Sequence, residues 1–147
     1  MSSSLAASEP RLCFASCRVR LAFWEWGSSD SDHGTLQFIV LFAQGSYSPW
    51  LTLFTKYDSL HSAVIVCVHG LTRQGRDFDA LARALLARRP HLRIVCPDIV
   101  GRGHSEWLPS EQALTGYAVP QYTLDMLVLL RELNQAAPIR TLDWVGM

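Results

Sequence analysis

The sequence has no surplus of charge of either sign: thirteen Lys and Arg offset thirteen Asp and Glu. A chain that neutralises phosphates needs a basic excess, so no nucleic acid partner is expected. Among its four cysteines, Cys13, Cys17, Cys67 and Cys96, there is no Cys-x-x-Cys pair. His33, His61 and His91 keep no ligand spacing with one another, so no metal site is expected, nor any cofactor. Cys67 and Cys96 lie inside apolar runs, where a thiol behaves as a small buried hydrophobe. All four cysteines read as free thiols in a reducing compartment, with a Cys67–Cys96 disulfide as the lesser reading. The N-terminus has no long apolar core, which argues against a secretory signal. It is rich in Ser and carries Arg11, Arg18 and Arg20. Residues 1–18 are therefore expected to be a disordered leader of a cytoplasmic protein, with a mitochondrial presequence as the alternative. No internal repeat is found.

One long uncharged run is present, from Thr35 to Thr55. Its length approaches that of a membrane span. Gln37, Gln44, Gly45, Ser46, Ser48 and Pro49 interrupt it, however, and two strands joined by a "QGSYSP" turn fit better. A membrane anchor through Leu36 to Phe54 is the lesser reading. At 147 residues and 49% hydrophobic content the chain suits one globular domain.

From Val64 onward the pattern is regular. "AVIVCV" (Ala63 to Val68) is a continuous β-branched run, as expected of a strand buried on both faces. After the loop "HGLTRQGRD", Asp77 is a candidate N-cap, and Phe78, Leu81, Ala82, Leu85 and Leu86 recur at helical spacing. Arg88 and Arg89 suit the C-terminus of that helix and Pro90 ends it. "RIVCP" (Arg93 to Pro97) is a second short strand. A helix is expected from about Pro120, with Tyr122, Met126, Leu129, Leu130 and Leu133 on its main apolar face. Leu124, Leu127 and Val128 make it apolar nearly all round, so full cover is expected. "TLDWVG" is a third strand, and "RVRLAFWEWG" an early one. Strand, helix, strand, helix, strand with short links implies parallel strands in an α/β sheet with flanking helices, where ligands bind beyond the carboxyl ends. The loops "HGLTRQG" and "PDIVGRGHS" and the tip of "DWVG" all lie at those ends.

"VCVHGLTRQGRDFDALA", "IVCPDIVGRGHSEW" and "DWVG", in this order and spacing, resemble the alpha/beta-hydrolase family, over about Ser62 to Gly146. The resemblance implies the N-terminal half of an alpha/beta-hydrolase fold and, in the parent, a serine hydrolase acting on an ester-like bond of a small molecule. It implies that Leu71, after His69-Gly70, donates its backbone N–H to an oxyanion hole, with Gly70 permitting the tight turn. His69 is then expected to order the loop rather than to act as base. Asp98, Gly101, Gly103 and Ser105 are expected to shape the second loop. The group Arg73, Arg76 and Arg102 could favour an anionic substrate, although solvated surface arginines are the commoner case.

Gly146 matches the first Gly of the family's Gly-x-Ser-x-Gly nucleophile elbow. The chain stops at Met147, one residue short of the Ser. A fold truncated before the elbow is thus expected to be inactive alone, with no catalytic residue within the chain. The family also has a much shorter link where this chain has residues 28–61, which makes that stretch an atypical insert of residues 19–147, the partial hydrolase domain. A truncated or mis-spliced product fits both departures. Rival expectations are a non-catalytic binding or regulatory form that self-associates through an exposed sheet edge at its last strand, and a chain too short to fold stably.

Overall fold

The computed structural model of the chain describes residues 9–16, 18–27, 38–42 and 64–146. In chain order these form β1 (Arg11–Ser16), β2 (Arg20–Gly27), β3 (Phe38–Phe42) and β4 (Val64–Val68). A 3-10 turn (Gly75–Phe78) leads into α1 (Asp79–Arg88), followed by β5 (Arg93–Pro97), α2 (Ser110–Gly116), α3 (Val119–Ala136) and β6 (Leu142–Gly146). The strands make one mixed sheet in the order β1-β2-β5-β4-β6-β3. β1 pairs antiparallel with β2, and β2 antiparallel with β5; β4 runs parallel to both β5 and β6, and β3 parallel to β6.

The apolar runs of the central strands are continuous because each face of the sheet is covered by a different helix. Alternate side chains point to opposite faces. Val64 and Val66 of β4, Val95 of β5 and Leu142 of β6 meet Met126, Leu129 and Leu133 of α3. Ile65, Cys67, Ile94, Cys96 and Val145 meet Phe78, Ala82 and Leu85 around α1. Each Val, Leu, Ile, Phe or Met among them contributes roughly 1.5–3 kcal/mol when fully buried. Cys67 and Cys96 are buried free thiols. Burial, with Cys67 alongside, raises the Cys96 thiol well above its usual range. A buried ion pair ties three elements together: Arg93 Nε lies 2.5 Å from Glu25 Oε1, and Arg93 Nη1 donates to Leu133 O at 3.2 Å.

Several expectations need correction. Residues 11–16 are a strand and not part of a leader: β1 takes its place by main-chain pairing with β2, from Arg11↔Glu25 to Ser16↔Arg20. That pairing needs no apolar pattern of its own, and Leu12 and Phe14 are exposed. Residues 1–8 lie outside the described residues. The edge of β6 is not open, because β3 pairs along it from Phe38↔Leu142 to Phe42↔Gly146. β3 is also the described portion of the apolar run; the "QGSYSP" turn and the rest of 28–61 lie outside the described residues. Asp77 is not an N-cap. It sits inside the 3-10 turn, where its carboxylate accepts the Gln74 N–H at 3.5 Å, and α1 starts at Asp79. α2, unmarked by any strong periodicity, was not expected. α3 is not fully covered: Leu124 and Leu127 are 56% and 57% exposed, and Val119 is 73% exposed. No described helix is long and apolar enough to cross a membrane.

Candidate functional site

The register of the central strands brings three strand tips together. Val68, the last residue of β4, pairs with Gly146, the last of β6. β5 runs parallel on the other side of β4. Just beyond β4, His69 is 5% exposed and both ring nitrogens are engaged. Nε2 accepts the Ile99 N–H at 3.0 Å, which leaves Nδ1 to carry the proton and donate it to Gly70 O at 2.7 Å. Burial lowers the His69 pKa below its usual 6.5, against the opposing pull of the Gly70 hydrogen bond and of Asp98. A neutral imidazole with no open lone pair cannot serve as a general base. Its effect is to join the β4 loop to the β5 loop.

The β4 loop turns at Gly70–Arg73, closed by Arg73 N–H donating to Gly70 O at 3.1 Å. That bond leaves the N–H of Leu71, at the second position of the turn, unused by the turn itself. The Leu71 side chain is 71% exposed. Its carbonyl accepts Arg102 Nε–H at 2.6 Å, and Arg102 Nη1 also donates to Gly101 O at 2.9 Å.

The β5 loop is organised around Asp98, which is fully buried. Its carboxylate accepts the Gly75 N–H at 2.7 Å through Oδ1 and the His104 N–H at 2.9 Å through Oδ2. Its own N–H donates to Ala22 O at 2.9 Å. Gly103 has φ +49°, and a Cβ there would fall 2.2 Å from Asp98 Oδ2, so only glycine fits. At Gly101, with φ +74°, a Cβ would strike the Tyr117 ring. Ser105 Oγ donates to Asp98 O at 2.5 Å and accepts the Ala22 N–H at 2.8 Å. His104, Ser105 and Asp98 thus contain the residue types of a Ser-His-Asp set but not its chemistry. The hydroxyl is 3% exposed and committed to backbone, so it cannot attack.

Above the tips of β4 and β6 a cleft of about 490 Å³ opens between the β4 loop and α3. Val68, His69, Gly70 and Leu71 form one wall, and Ile99 of the β5 loop and Trp144 of β6 contribute beside it. The opposite wall is α3, through Val119, Tyr122, Met126, Leu127 and Leu130. The cleft accounts for part of the exposure of α3: Val119 and Leu127 line it, whereas Leu124 does not. An apolar helix surface wider than its core stripe was the sequence signal for this wall. Asp98, Gly101, Gly103 and Ser105 do not line the cleft; they hold the loop beside it. Among the three arginines, Arg73 pairs with Asp77 at 2.8 Å, and Arg76 pairs with Asp79 and lies 4.7 Å over the Trp24 ring. Arg102 lines the cleft. Among the described residues no group of three or more His, Cys, Asp and Glu could hold a metal ion.

No protein-family model matches the chain. Among solved structures, 95% of the chain superposes on 37% of a thioesterase domain from the curacin biosynthetic pathway, with a TM-score of 0.63 and 20% identity. Similarly, 93% of it superposes on 31% of epoxide hydrolase A from Mycobacterium thermoresistibile, with a TM-score of 0.58 and 18% identity. The fold is that of the alpha/beta hydrolases. The chain holds part of an alpha/beta-hydrolase fold, as these shares of the larger chains state. In sequence it is 37% identical over 145 residues to a 3-hydroxybutyrate-oligomer hydrolase from Cupriavidus necator. That match takes in 95% of this chain and 36% of the relative, so the chain spans about a third of the relative's length. In an alpha/beta-hydrolase sheet the tips of β4, β5 and β6 mark the carboxyl ends of the parallel strands, where ligands enter.

Proposed function

We propose that the chain is the oxyanion-donating part of a serine hydrolase of the alpha/beta-hydrolase family, one that cleaves an ester-like bond in a small molecule. The observation that carries this reading is the joining, at one sheet end, of the Leu71 turn, the tip of β6 and an apolar cleft. In the whole protein the elbow serine would stand at the tip of β6, after Gly146. Its attack on a carbonyl held against α3 would develop an oxyanion facing the Leu71 N–H. The apolar walls would take the acyl chain by burial of its methylenes, at about 0.8 kcal/mol for each.

The relative that cleaves 3-hydroxybutyrate oligomers favours an ester over an epoxide or a carbon–halogen bond as the scissile group. The 147-residue chain does not itself complete the reaction. Among the described residues, the one buried serine of the loops is committed to backbone, and the histidine at the cleft has both nitrogens engaged.

Two measurements test this. The chain gives no turnover of p-nitrophenyl esters; turnover that a serine-directed fluorophosphonate abolishes would contradict the incomplete-site part. The chain also binds an alkyl phosphonate monoester, a stable mimic of a tetrahedral ester intermediate. Leu71→Pro keeps the turn, since proline suits its second position, but deletes the N–H. It lowers that affinity about tenfold, as the loss of one charge-assisted hydrogen bond requires. Unchanged affinity in Leu71→Pro would remove Leu71 from the oxyanion site.

A further inference from the structure

Each other arginine of these loops has a carboxylate partner, whereas Arg102 is held by carbonyl oxygens. Arg73 meets Asp77 and Arg76 meets Asp79, both outside the cleft, and Arg93 meets Glu25 in the core. Arg102 donates to Leu71 O and Gly101 O, with its guanidinium 6.0 Å from the Tyr117 ring centroid. A guanidinium carries five N–H donors, and these two bonds use two of them. They hold its plane at Nε and at Nη1, which leaves one N–H on Nη1 and both on Nη2, enough to take a carboxylate with two parallel bonds. The residue lines the cleft. Because Arg102 Nε binds the carbonyl of the residue that supplies the N–H donor, guanidinium and donor are within about 6 Å of each other. The rest of the lining is mainly apolar, with His69, Tyr122 and Thr123 as its polar side chains.

We propose that Arg102 is a specificity-determining residue that anchors a carboxylate on the substrate. It selects esters of short hydroxy acids: molecules with an apolar acyl end for the α3 wall and a free carboxylate a few bonds beyond the ester oxygen. This rests on the reading of the cleft as an ester site. The same guanidinium braces the Leu71 turn, so substrate charge and oxyanion geometry are joined through one side chain. No proton or electron moves in this step; it is recognition by charge and shape.

The test is calorimetric titration of the full 147-residue chain with 3-(butanoyloxy)butanoate and with its methyl ester, which differ only in the anionic end. The acid binds about tenfold more tightly than the methyl ester, and added salt narrows the gap. Arg102→Lys retains part of the preference. Arg102→Gln abolishes it, bringing the ratio of the two affinities to about one, whereas mere loosening of the Leu71 turn lowers both affinities together and leaves the ratio as it was. If Arg102→Gln loses its cooperative thermal transition, the wild-type ratio and Arg102→Lys decide. Equal binding of acid and ester by the wild type, or a preference that survives in Arg102→Gln, overturns the proposal and leaves the hydrolase reading standing. Absence of binding by both compounds overturns the two together.

Discussion

The loops that leave β4 and β5 start at the same level of the sheet and serve opposite ends. In the β5 loop the polar groups turn inward. Asp98 and Ser105 are buried and exchange hydrogen bonds with the backbone of Ala22, Gly75 and His104. In the β4 loop the turn at Gly70–Arg73 faces a cleft, and Leu71 is exposed. The sequence shows both loops as runs of Gly, His, Asp, Ser and Arg at a strand end. What separates them is whether the donors and acceptors are used up inside the protein. A polar residue whose donors and acceptors are all spent on backbone is a brace, and chemistry belongs to groups with capacity left over.

The comparison breaks most readily at Asp98. Asp98→Ala leaves the Gly75 and His104 N–H groups without their acceptor, and each bond to a charged group is worth roughly 1.5–3 kcal/mol. The expected loss is about 3 kcal/mol or more in urea unfolding, and a shift of under about 1 kcal/mol would mean that the β5 loop is not braced through this residue. Gly103→Ala comes next. It forces alanine into the left-handed region and drives a methyl into the Asp98 carboxylate. A loss of about 2 kcal/mol is expected by the same method.

A smaller effect is expected from pH. The folded pKa of His69 is lowered below the usual 6.5, so below that value the unfolded chain binds a proton that the folded chain resists. The stability supplied by neutral His69 is therefore complete above pH 6.5 and is lost as pH falls through the lowered folded value. Thermal melts of His69→Gln should show a shallower decline over that window than the wild type; parallel declines would separate His69 from the bridge between the loops. The smallest effect belongs to the open loop. Leu71→Ala removes an exposed side chain and keeps the N–H, so stability should change by no more than about 0.5 kcal/mol. A large destabilisation there would make the β4 loop a brace as well.

Much of the central sheet was legible in the sequence because burial on both faces writes itself as uninterrupted β-branched runs, as in β4 and β5, and because α1 and α3 keep a helical apolar period. The N-terminal strand β1 was not legible. It is held by main-chain pairing to β2, which any sequence of modest β propensity can make. β3 was half legible: the strand pattern was there, but its place along β6 is a matter of topology and not of local pattern. Within the site, the glycines and Asp98 were placed by the family resemblance, with turn chemistry in support. The sorting of the three arginines could not, since Arg73, Arg76 and Arg102 differ only in which carboxylate or carbonyl the fold sets beside them.

The central claim is that the Leu71 N–H and the α3 wall face one acyl-binding cleft. The most direct measurement is a proton–nitrogen and methyl correlation NMR titration of the chain with the alkyl phosphonate monoester. Saturable shifts at the Leu71 and Gly70 amides, together with the methyl of Met126, are the result the account requires. Shifts centred on the Asp98–Ser105 loop, or none at Leu71 while the ligand binds elsewhere, would contradict it.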